Sequence, residues 1–94
     1  MSVRILNVGV DTSLVRTRQL LLASWGFEAV SAYPHDVDTK LAGSQFDLVI
    51  LSVMLGPEEK ARIHGLLPAG TKALSLEKLV MPGELRKLIA EQLG

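Results

Sequence analysis

No cysteine occurs in the 94 residues. That excludes a disulfide framework, a thiolate metal site and a cysteine nucleophile together. Aromatic residues are almost as scarce, with two Phe, one Trp and one Tyr, so the core has to be built from aliphatic side chains. Charge of either sign is not in excess. Ten Lys and Arg balance ten Asp and Glu, and a neutral chain carries no electrostatic footprint for nucleic acid or an anionic membrane. No apolar run approaches the length of a membrane span. The opening MSVRILNVG lacks the length and the small-residue cleavage site of a signal peptide. A cytoplasmic protein is the expectation. An apolar content of 48% and a positive mean hydropathy of +0.30 fit a single domain spanning residues 1–94.

The stretch Phe46 to Pro57, FDLVILSVMLGP, organises the rest. Asp47 opens a five-residue run, Leu48 to Ser52, apolar except at its last position, too short for a helix and closed by Gly56-Pro57. It reads as a strand buried on both faces. Arg4 to Val10 reads as a second buried strand. Asp11, Thr12 and Ser13 then offer helix caps, and Leu14, Arg18, Leu21, Leu22 and Trp25 recur at helical spacing with Arg16 and Gln19 turned outward. Gly26 ends that helix, and Phe27 to Ala32 alternates as an edge strand. His35 and Asp36 cap a short helix in which Val37 and Leu41 share a face.

Pro57 opens a third helix carrying Ala61, Ile63, Leu66 and Leu67, with Glu58 and Glu59 at its positive end. Lys72 to Leu76 is a fourth strand. Pro82 opens a last helix with Leu85, Leu88, Ile89 and Leu93 as its apolar stripe. Strands alternating with helices imply a parallel sheet with helices on both faces. The expected fold is therefore an α/β, three-layer flavodoxin-like domain with strand order 2-1-3-4, one βα unit shorter than usual.

In such a sheet, chemistry collects at the carboxyl ends of the strands. The central strand ends there in Ser52, followed by Val53, Met54 and Leu55. A serine nucleophile needs a base and an oxyanion hole, and neither His35 nor His64 is placed by a motif to serve it or to bind metal. Gly9 follows a strand, but VGVDTSLV lacks the remaining glycines of a dinucleotide fingerprint.

RILNVG with Asp11, the helix ending SWGFEAV, the DLVILSVML run and the closing KLVMPGELRKLI stand in the order and spacing of a response-regulator receiver domain, which the chain resembles over residues 4 to 55 and again at its end. The resemblance implies a phosphoacceptor aspartate where Ser52 stands. It also implies an acidic pair for magnesium where Gly9 and Val10 stand. None of these supplies the carboxylate oxygens that magnesium requires, so no metal and no cofactor are expected. Asp11 falls one position late and caps the helix. Glu77, or Ser75 in a slipped register, replaces the family's hydroxyl. Lys78 matches its lysine if the fourth strand here serves as the family's fifth, and Leu79 replaces the following proline. Asp11, Thr12, Glu77 and Lys78 are what is left to form a residual pocket.

The reading that follows is a non-enzymatic, phosphorylation-independent signalling module of two-component type, acting through a protein partner or as a homodimer. The alternative is a small-ligand or nucleotide-binding domain using the same strand ends. Losing one unit leaves strand 4 as an edge, so the expected interface is Leu74, Leu76, Leu79 and Leu85. Apolar loop residues at the carboxyl end, Val53, Met54, Leu55 and Met81, are expected either to collapse over the vacated pocket or to face a partner.

Overall fold

The computed structural model describes residues 2–94. Its elements run β1 (Arg4–Val8), α1 (Thr12–Ser24), β2 (Glu28–Ala32), a 3-10 turn (Pro34–Asp36) leading into α2 (Val37–Gly43), β3 (Leu48–Leu51), α3 (Pro57–Leu66), β4 (Lys72–Ser75) and α4 (Pro82–Leu93). The strands form one parallel sheet in the order β2-β1-β3-β4. The chain is thus an α/β domain of the flavodoxin-like, three-layer kind.

The unbroken apolar run of β3 is explained by its neighbours. Leu48 and Ile50 join Ile5, Leu22, Leu74, Leu85 and Ile89 in a cluster under α1 and α4. Val49 and Leu51, on the opposite face, join Leu6, Val8, Val37 and Ile63 under α2 and α3. A strand with helices above and below has no polar face to offer, so alternation disappears from its sequence. β2 is an edge strand of intermediate burial, as its alternating pattern predicts.

The helix ends are set locally. Asp11 accepts a hydrogen bond from the Leu14 amide at 3.0 Å, capping α1. At the other end Gly26 adopts φ +90°, and the amides of Gly26 and Phe27 donate to Ala23 and Leu22 carbonyls, which only a residue free of Cβ crowding permits cheaply. Asp36 makes no side-chain cap bond to α2, contrary to expectation. That short helix is held instead by burial of Val37 and by Arg62 of α3, which donates to Asp38 and to the Pro34 carbonyl. The Asp38 and Glu59 carboxylates raise the Arg62 pKa above its ordinary value.

The expected interface needs correcting. Leu74, Leu76 and Leu85 are buried in the cluster beneath α4, because α4 folds back over β4 rather than standing away from it. Only Leu79 of that set is exposed. Two lysines tie the β4 region to its helices. Lys72 Nζ donates to the Gln92 carbonyl at 2.7 Å and Lys60 Nζ to that of Leu76 at 2.8 Å. Lys72, an exposed lysine on the edge strand β4, opposes pairing with a second copy.

Candidate functional site: the carboxyl ends of the strands

Parallel pairing brings the segments after β1, β2, β3 and β4 to one end of the sheet. At its centre lie Gly9 and Ser52, both buried. A Cβ placed on Gly9 would lie 2.7 Å from Val15 Cγ2 and 3.5 Å from Ser52 Cβ. A side chain at position 9, a carboxylate included, therefore fits only if the Val15 side chain shifts. Ser52 is 2% exposed. Its amide donates to the Val8 carbonyl at 3.0 Å, its Oγ accepts from the Met54 amide at 3.3 Å, and its carbonyl accepts from Leu55 at 3.1 Å. The hydroxyl shapes the turn that leaves β3. Val10 is exposed, and Asp11 is committed to the α1 cap. The residues present do not fit magnesium.

The four residues expected to form a residual pocket do not converge. Thr12 Oγ1 is hydrogen-bonded to the Tyr33 hydroxyl at 2.9 Å, and Tyr33 stacks on His35. Glu77 accepts from Ser75 Oγ and lies 3.7 Å from Lys60 Nζ. Lys78 pairs with Glu84 of α4 at 3.7 Å. The strand order explains the separation: β2 and β4 are opposite edges, so Thr12 and Glu77 are drawn to different sides of the molecule. Among the described residues, no three His, Asp or Glu side chains gather as a group able to hold a metal.

Apolar side chains occupy the rim instead. Met54 is 58%, Leu79 72% and Met81 74% exposed. Among the described residues the other exposed large hydrophobics are Val10, Leu14, Leu20, Tyr33 and Leu66. All but Leu20 and Leu66 lie on carboxyl-end loops or in the first turn of α1. Leu55 turns inward and is buried, and Val53 packs partly on the α1/α4 cluster.

Beneath this rim runs a polar chain that the sequence pattern does not foretell. Asn7, fully buried in β1, donates through Nδ2 to the Val15 carbonyl at 3.0 Å and to Ser31 Oγ at 3.4 Å. Its Oδ1 accepts from Arg18 Nη1 at 3.2 Å. Ser31 Oγ in turn donates to Gln19 Oε1, and Gln19 Nε2 donates to the Ala29 carbonyl. Gln19, expected to face outward, is half-buried for this reason. The available signals were an asparagine inside an apolar strand and an arginine in the apolar register of α1. Burial lowers the Arg18 pKa below its ordinary value.

No protein-family model, no curated protein and no solved structure matches this chain. Among the described residues no helix is long and apolar enough to cross a membrane.

Proposed function

We propose that the chain is a receiver-like, non-enzymatic signalling module that acts by protein–protein contact without phosphorylation, in a cytoplasmic two-component type of system. The observation that carries this reading is the exposed apolar rim of Met54, Leu79 and Met81 around a closed strand end. A phosphoryl switch needs carboxylates and a cation at that place. A contact surface needs apolar side chains that water does not satisfy. The receiver resemblance supports the signalling context; the packing of Gly9 against Val15 and the capped Ser52 hydroxyl support loss of the phosphate chemistry.

The partner is a second protein or a second copy of the chain, meeting the rim rather than the leucines beneath α4. Chemical cross-linking and light scattering across a wide concentration range test this on the intact chain and on a Met54→Lys/Met81→Lys variant. The expected result is a cross-linked species lost in the variant and indifferent to acetyl phosphate. Absence of any such species, or its persistence in the variant, would overturn the contact reading.

A further inference from the structure

Among the described residues Arg18 is the one charged side chain that this fold buries, being 9% exposed. Its guanidinium has five N–H donors, and the structure gives it a single hydrogen bond, to the neutral amide oxygen of Asn7. Among the described residues no carboxylate lies within ion-pair distance of it. Holding Asn7 needs only a neutral donor, and the other N–H groups of Arg18 are not sealed from solvent. They are left free for an anionic group that enters beside them.

The same guanidinium lines a cavity of about 170 Å³ between α1 and the β4–α4 loop. Its walls are apolar, with Leu14 and Leu21 from α1 and Leu76, Val80 and Leu85 from the other side. Lys78 lies at its edge, partly neutralised by Glu84 at 3.7 Å. The volume corresponds to roughly six waters at about 30 Å³ each. It is smaller than pockets that take drug-sized ligands, about 300–1,000 Å³. An inorganic dianion would lose its hydration against leucines. A monocarboxylate on a short apolar body would place its oxygens on the guanidinium fork and its carbons on the walls.

We infer that the cleft between α1 and the β4–α4 loop is a binding site for a small apolar monocarboxylate, with Arg18 as its anchor and Lys78 as a secondary cation. This site shares Leu79 and Leu14 with the exposed apolar surface but does not depend on the receiver reading. Binding would tie α1 to the loop that carries Leu79 and Met81.

Titration of the ¹⁵N-labelled chain with sodium hexanoate, followed by amide and arginine side-chain NMR shifts, tests the inference, with hexanol and inorganic phosphate as control probes. The expected result is saturable shifts at Arg18 and in residues 76–80 with hexanoate alone. Arg18→Gln should weaken binding by about tenfold or more, the loss expected for a charged hydrogen bond. Should Arg18→Gln not fold, Lys78→Glu at the exposed edge supplies the second arm, with a several-fold loss expected. Equal shifts from hexanol would reduce the cleft to an apolar groove and overturn the assignment. Equal shifts from phosphate would overturn the ligand class. No saturable shift with hexanoate, or binding unchanged in the folded variants, would overturn the site.

Discussion

The two ends of the sheet are finished in opposite ways. At the amino end polar groups meet one another. The Arg4 amide donates to Asp47 Oδ2 at 2.9 Å, Arg4 Nη1 to the Gln45 carbonyl at 3.4 Å, and Thr71 Oγ1 to the Phe46 carbonyl at 2.8 Å. The Arg4 guanidinium lies over the Phe46 ring, 5.1 Å from its centroid. It also stands 3.2 Å from Glu28, at an angle too poor for a hydrogen bond. At the carboxyl end the central positions Gly9 and Ser52 are small and buried, and Val10, Met54, Leu79 and Met81 stand exposed beside scattered polar pairs such as Thr12 with Tyr33 and Lys78 with Glu84. Polar groups that satisfy each other at the strand starts hold the fold. Apolar groups left in water at the strand ends hold nothing, and that asymmetry is why contact is assigned there.

Both ends depend on β3, so the largest effect is expected from breaking what joins them. Ile50→Ala removes a fully buried side chain and should cost about 2–5 kcal/mol by transfer and cavity terms, measured by urea unfolding. Next comes an acid introduced at the carboxyl end. Gly9→Asp forces a Cβ into the space of Val15 Cγ2, 2.7 Å away, and should cost about 1–3 kcal/mol through overpacking. A Gly9→Asp protein as stable as the parent would show that the strand end is looser than its packing implies.

Much of this was legible in the chain, and the illegible part has a physical cause. The buried run Leu48 to Leu51 and the punctuation by Gly26, Pro57 and Pro82 are local signals, and they placed the strands and helices. The partition of the leucines was not local. Leu74, Leu76 and Leu85 look alike from the sequence as core or as interface, and only the return of α4 over β4 decides it. Gln19 was misassigned for a similar reason: its partners, Ala29 and Ser31, lie one strand away. That Gly9, Val10 and Ser52 carry no acid could be read directly. The crowding of position 9 by Val15 could not.

Smaller effects sharpen the contrast. At the amino end Asp47→Ala removes the acceptor for the Arg4 amide and should cost about 1 kcal/mol in the same unfolding assay. At the carboxyl end Met54→Lys/Met81→Lys should leave stability within about 0.5 kcal/mol, because both side chains stand mostly in water. A larger loss than that of Asp47→Ala would mean the rim is part of the fold rather than a surface for something else.

The central claim is that the carboxyl end has lost its phosphate chemistry and kept a surface. Titration of the labelled chain with magnesium and then beryllofluoride, an unreactive mimic of a phosphoryl group, tests it most directly by following the amides of Gly9, Val10, Ser52 and Met54. The account predicts no saturable shift at these residues up to about 20 mM magnesium, since Gly9, Val10 and Ser52 carry no carboxylate and Asp11 is committed to the α1 cap, leaving no converging carboxylates to replace the cation's waters. Saturable shifts with a low-millimolar or tighter dissociation constant, strengthened by beryllofluoride, would contradict it.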